Sequence, residues 1–203
     1  MTLHPTILLG ATVTLLSLAV SAAAQDDAAR QDIATVAEGD GSGNSGRIAV
    51  NIAAGTQNQQ IGSAIIAIGE LPIGVQLVEQ RLDSPDMTDR ATSIAVGPGT
   101  FSDNTGLLSV NLTAGSQNQS ANLALLTIGT NGVVSDQMLA QTSAPTKPAG
   151  TSDPGLDVPN DAIAIDDSAF GGNSGLVQIN LVGGERNSSA NTFALNVSAG
   201  GNP

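Results

Sequence analysis

Apolar and polar positions alternate in three separated stretches of this chain. Ile48, Val50 and Ile52 share one parity, as do Leu108, Val110 and Leu112, and then Val177, Ile179 and Leu181. A period of two built on branched side chains predicts strands rather than helices, with these nine residues on the core face. Past a glycine the alternation resumes, at Ala64, Ile66 and Ile68, at Ala124, Leu126 and Ile128, and at Phe193, Leu195 and Val197. A shorter alternation precedes each stretch, at Ala34 and Val36, Ile94 and Val96, and Ile163 and Ile165. Each unit thus reads as three short strands joined by Gly- and Asn-rich corners, each strand turning its apolar residues inward.

The polar positions repeat too. Asn44-Ser45-Gly46, Asn104-Thr105-Gly106 and Asn173-Ser174-Gly175 open the copies. Asn51, Asn111 and Asn180 follow, then Gly55, Gly115 and Gly184, then Asn58, Asn118 and Asn187. The shared frame is N-[ST]-G-x-[ILV]-x-[VI]-N-[IL]-x-[AG]-G-x-x-N, and the first two copies add Gln57, Gln59, Gln117 and Gln119. Repetition of this kind marks one supersecondary unit used three times. Its few aliphatics cannot offset the entropy of ordering one unit alone, so the copies are expected to stack with like residues over like.

Asparagine is disfavoured inside strands. Stacking gives Asn51, Asn111 and Asn180 a reason to be there, as an amide ladder. The glycines suit corners that need positive φ or a close backbone approach. Asn44, Asn104 and Asn173 beside Ser/Thr-Gly read first as turn residues, for which the left-handed region is accessible. The fold class is therefore all-β: three imperfect repeats stacked as a β-solenoid-like or cross-β arrangement, with disordered linkers.

The expected map follows. Residues 1–24, an apolar run ending in Ala22-Ala23-Ala24, read as a secretory signal, and 25–33 as an N-terminal segment. Repeats occupy 34–69, 94–129 and 163–199, linkers 70–93 and 130–162, and a short tail 200–203. "SAPTKPAGTSDPGLDVPND", from Ser143, has the Pro/Gly/Asp composition of a disordered segment. Residues 73–82 and 133–141 are partly amphipathic, as short strands or helical turns covering the stack would be.

Composition removes most chemistry. Formal net charge is −12, there is no cysteine, the only aromatics are three phenylalanines, and the single histidine, His4, lies in the signal. An acidic surface disfavours nucleic acid and anionic lipid, and no membrane insertion is expected once the signal is removed. Without His or Cys after the signal, a catalytic triad, a Cys nucleophile and an ordinary zinc site are excluded. Asp166 and Asp167 are adjacent, so as strand neighbours they would face opposite ways, unlike a glycosidase pair. "DGSGNSG", from Asp40, spaces oxygens like a calcium loop but lacks the distal bidentate Glu, and reads as a metal-free turn. No catalytic, cofactor or metal residue is expected.

"GNSGRIAVNIAAGTQNQQ" and "NTGLLSVNLTAGSQNQS" resemble the repeats of Fap-type functional-amyloid subunits of bacterial biofilms. The resemblance covers the signal and about half of the rest. It implies export through the outer membrane, three imperfect repeats on variable linkers, and fibres built of stacked β-layers. The third copy departs from it, with Glu185, Arg186 and Ser188 in place of the glutamines, and the Cys-x-x-Cys expected near the carboxy terminus is missing. A fibre subunit, a minor subunit and a nucleator all fit. The third copy runs to Val197, so a stack with open, uncapped ends is expected, with further copies of the chain or related subunits as partners. The rival reading is a monomeric β-repeat surface adhesin or glycan- or protein-binding module.

Overall fold

The computed structural model describes residues 31–82, 90–130, 134–142 and 160–198. The signal, most of the Pro/Gly-rich linker and the tail lie outside the described residues. Strands run in the order β1 (Gln31–Val36), β2 (Ser45–Ala54), β3 (Gln59–Gly69), β4 (Ile73–Arg81), β5 (Ala91–Val96), β6 (Thr105–Ala114), β7 (Gln119–Gly129), β8 (Val134–Thr142), β9 (Asp161–Ile165), β10 (Ser174–Gly183) and β11 (Ser188–Ser198).

Strands pair between repeats. Sheet A is β1-β5-β9, sheet B β2-β6-β10, sheet C β3-β7-β11 and sheet D β4-β8. Every pairing is parallel and without slip, so Asn51 lies beside Asn111 and Asn111 beside Asn180. The second repeat is the middle layer throughout. Sheet A packs on B, B on C, and C on D. Each repeat is therefore a flat serpentine, and the serpentines pile up at the spacing of paired strands, about 4.7–4.9 Å. Connections of different length between the repeats are tolerated because loop-closure entropy rises only slowly with length.

The largest core lies between sheets A and B. Ala34, Val36, Ile94 and Val96 meet Leu108, Val110 and Leu112, all buried, with Ile48, Val50, Ile52 and Leu181 half-buried in the outer layers. Ile179 is half-buried, and Val177 is 36% exposed at the open edge. Phe101 stacks on Phe170 with ring centroids 5.5 Å apart, and its other side covers Gly41, where an added Cβ would fall 2.5 Å from the ring. A smaller core joins C to D through Val78, Ala121 and Leu123.

Two features depart from the sequence pattern. Stretches 73–81 and 134–142, inside the expected linkers, take the strand form of the two forms expected for them, strand and helical turn, so the first two repeats have four strands each rather than three. Alternate residues of β4 (Gly74, Gln76, Val78, Gln80) are buried against sheet C, which is what orders the segment. The resumed alternation, in turn, does not mark the core: Ile66 and Ile68 are 60% and 72% exposed, and Leu195 and Val197 44% and 40%. Buried Ala121, Leu123 and Leu125 have the opposite parity. The cause is that β3 and β7 pack on sheet D with that parity, while their other face meets sheet B only near the shared corner. Sheets B and C close at their shared corner and part away from it, leaving an apolar groove along Leu107, Leu126, Leu176, Phe193 and Leu195.

Candidate functional site

The contact between sheets B and C is polar, although it lies inside the molecule. Asn111, Asn122 and Asn118 are fully buried, and Asn180 nearly so. Buried amides are tolerable only when bonded, and parallel in-register stacking supplies the partners. Asn111 Nδ2 donates to Asn51 Oδ1 (2.8 Å), and Asn180 Nδ2 to Asn111 Oδ1 (2.9 Å). Across the sheets, Asn122 Nδ2 donates to Asn111 Oδ1 (3.0 Å), and Asn191 Nδ2 to Asn180 Oδ1 (3.1 Å). Two asparagine columns are thus cross-linked into one network.

A third column holds the B–C corner. The backbone N–H of Asn118 donates to Asn58 Oδ1 (3.0 Å), and that of Asn187 to Asn118 Oδ1 (2.9 Å). Their side-chain nitrogens donate to glycine carbonyls, Asn58 to Gly115 (2.7 Å) and Asn118 to Gly184 (2.8 Å). Gly55, Gly115 and Gly184 have φ of 101°, 114° and 88°, and a Cβ on Gly55 would sit 2.0 Å from Gly115 O. Positive φ and close layer contact both demand glycine there. The non-glycine residues in the left-handed region at this corner are Gln57, Gln117 and Arg186, rather than asparagines.

Asn44, Asn104 and Asn173 do more than turn. The N–H of Asn44 donates to Asn104 Oδ1 (2.8 Å), and that of Asn104 to Asn173 Oδ1 (2.8 Å), with no positive φ at any of the three. The glutamines form shorter ladders. Gln117 Nε2 donates to Gln57 Oε1 (2.8 Å) and Gln119 Nε2 to Gln59 Oε1 (3.3 Å). The third repeat does not continue the second of these: Ser188 stands in register with Gln119. Among the described residues, buried Gln119 Oε1 is left without a donor. Ser188→Gln is expected to supply that donor and stabilise the chain by about 1 kcal/mol, read as a higher urea midpoint; an unchanged or lower midpoint would refute the assignment.

Residues outside the repeat frame join the same network. Asn122 of β7 and Asn191 of β11 lie beside each other in sheet C, and Gln137 and Gln141 donate to Gln76 (2.6 Å) and Gln80 (2.7 Å) in sheet D. Buried Arg90 binds Asp32 (3.4 Å) and Ser116 Oγ (2.9 Å), and its N–H donates to Glu185 (3.1 Å), so one residue ties all three layers at the corner. Asp166 and Asp167 lie in the turn after β9, where Ser168 donates two hydrogen bonds to Asp166 and holds its carboxyl below the usual carboxylate range. Among the described residues no group of three His, Cys, Asp or Glu could hold a metal, and no helix is long and apolar enough to cross a membrane.

An arrangement of this kind matches one layer to the next. The profile of the functional amyloid protein FapB/FapC family matches residues 17–198. The chain belongs to that family. No solved structure matches it. Membership in the FapB/FapC family makes this a functional amyloid protein, of a structural rather than an enzymatic kind. The amide columns and glycine contacts are the physical counterpart of that class, since amyloid order consists of identical side chains stacked in register.

Proposed function

We propose that this chain is a secreted subunit of biofilm-matrix or cell-surface fibres, as fibre subunit, minor subunit or nucleator. It assembles by stacking the third repeat of one copy on the first repeat of the next. One observation carries the reading: the ladders have direction, and their two ends are complementary. At the first layer Asn51 Nδ2 and the Asn58 N–H stand where Asn111 and Asn118 donate between layers. The third layer presents Asn187 Oδ1, and Asn180 Oδ1, which within the copy accepts from Asn191 Nδ2 and Ser189 Oγ, so that the incoming Asn51 takes the place of Ser189. The bonds made between layers would close again from Asn51 to Asn180, from Asn58 to Asn187 and from Asn173 to Asn44 of successive copies. Such head-to-tail contact is heterologous and does not close, so it yields filaments. Among the described residues, neither end of sheets A, B or C is covered by a helix. Family membership and the N-terminal signal pattern support export, with the chain itself and related subunits as partners.

Glycine supplies the test. A Cβ on Gly106 would lie 2.3 Å from Gly46 O and one on Gly175 2.1 Å from Gly106 O, each reaching toward the preceding layer, whereas a Cβ on Gly46 meets nothing within 4 Å. In a stacked pair it would strike Gly175 O of the neighbouring copy. Gly46→Ala should therefore leave the single chain folded, at a cost of about 1–2 kcal/mol for its positive φ. Fibre elongation, followed by seeded growth, should drop by more than about tenfold. Gly69→Ala, in open space without positive φ, should grow normally. Growth of Gly46→Ala at the wild-type rate would refute head-to-tail stacking. A wild-type chain that stays monomeric and dispersed would favour a surface adhesin or a glycan- or protein-binding module instead.

A further inference from the structure

Among the described residues sheet D holds β4 and β8, where the other sheets hold three. The face of sheet C beneath it records the difference. In β7, Ala121, Leu123 and Leu125 are buried; in β3, their partners Ile61, Ser63 and Ile65 are half-buried; in β11, Ala190, Thr192 and Ala194 are exposed. The opposite face of β11 is half-buried at Ser189, Asn191 and Phe193, so the exposure belongs to one side. Among the described residues the third layer therefore contains a slot, floored by β11 and walled by the backbone edge of β8. A copy stacked head to tail does not fill it, because the β4 of that copy lies one layer further on, over its own β3.

The occupants of the two layers below show what fits. Their inward residues are in register: Gly74 beside Ser135, Gln76 beside Gln137, Val78 beside Leu139, Gln80 beside Gln141. Both strands read small-x-Gln-x-aliphatic-x-Gln. The aliphatic residue packs on sheet C, and each glutamine of β8 donates to its counterpart in β4. That direction leaves Gln137 Oε1 as an acceptor for a further strand, and Gln141 Oε1 already accepts from Ser188 Oγ (2.8 Å) at the slot's end.

We propose that this slot is a strand-acceptor site: it binds an extended segment of a partner protein, parallel to β8, that turns small-x-Gln-x-aliphatic-x-Gln toward β11. Main-chain bonds to the β8 edge supply affinity, and the glutamine spacing and the aliphatic residue supply selectivity. The site is complete in one copy, so it stands apart from fibre formation.

The probe is a labelled peptide of residues 73–81, IGVQLVEQR, titrated onto the full chain. Saturable binding at one peptide per chain is expected, with new hydrogen-exchange protection in β8 and β11. A peptide carrying Gln76→Leu and Gln80→Leu should bind roughly tenfold more weakly, as should the wild-type peptide on an Ala190→Lys chain. Equal binding of a scrambled peptide, protection confined to the β1, β2 and β3 edges, or no binding would overturn the proposal. A chain that binds the peptide yet never forms fibres would support the slot while counting against head-to-tail polymerisation, so the two ideas fail separately.

Discussion

Gly115→Ala should abolish the three-layer fold. The new Cβ would lie 2.0 Å from Gly184 O and 2.7 Å from its carbonyl carbon, and both are backbone atoms held by the pairing of β6 with β10 and of β7 with β11. Layers at paired-strand spacing cannot part locally without losing their hydrogen bonds. The residue also has φ +114°, unfavourable for any L side chain. A loss above about 4 kcal/mol is expected, a large share of the 5–15 kcal/mol that usually separates folded from unfolded chains. Gly43→Ala isolates the conformational part, since its φ is +68° but its Cβ position is open; it should cost only about 1–2 kcal/mol. The measurement is protease resistance together with the far-ultraviolet β signal. Equal behaviour of the two variants would show that layer contact is not what fixes glycine in this column.

Asn111→Leu is the second large effect. Leucine matches asparagine in size but makes none of its bonds. Asn111 donates to Asn51 Oδ1 and to Ile61 O (2.9 Å), and accepts from Asn122 and Asn180. Asn122 Nδ2 keeps Val110 O (3.0 Å) and Asn180 Nδ2 keeps Ala121 O (3.0 Å), which limits the damage. Ile61 O loses a side-chain donor in a region largely closed to water. A cost of roughly 2–4 kcal/mol follows from orphaned groups in a coupled network. Asn51→Leu, at the exposed end of the same column, should cost under about 1 kcal/mol in the single chain, because water replaces the lost bond. Chemical denaturation of both variants decides the matter: similar midpoints would mean that the buried column contributes no more than an ordinary surface contact.

Much of this fold is written in its sequence because the repeats are stacked in register. Once Asn51, Asn111 and Asn180 are aligned on paper, they are aligned in space, and the period-two pattern of Ile48, Val50 and Ile52 identifies the A–B core face. Three things escape the same reasoning. Polar residues outside the repeat frame are expected at the surface, yet Asn122 is buried, because the neighbouring sheet and layer provide partners that water otherwise would. Parity is uninformative for a strand with apolar residues on both faces, so Ile66 and Ile68 look like core while Leu123 and Leu125 are the core. Finally, β4 and β8 lie within segments that carry no Asn-Gly frame. Their signal was the glutamine pair four residues apart, Gln76 with Gln80 and Gln137 with Gln141, which places both on one face of a strand. Which repeat occupies the centre is set by the chain passing through the layers in order, and that order is not encoded in any local motif.

The three layers are joined covalently, through residues 82–90 and 143–160. A seed of three free peptides would need a three-body encounter, with a rate falling as a high power of concentration. Here tethering fixes the effective concentration of each layer for the next, whatever the dilution. The smallest ordered nucleus is then a unimolecular event, and the dependence of lag time on protein concentration would be shallow. On the head-to-tail reading proposed above, such a chain begins a fibre even where it is scarce.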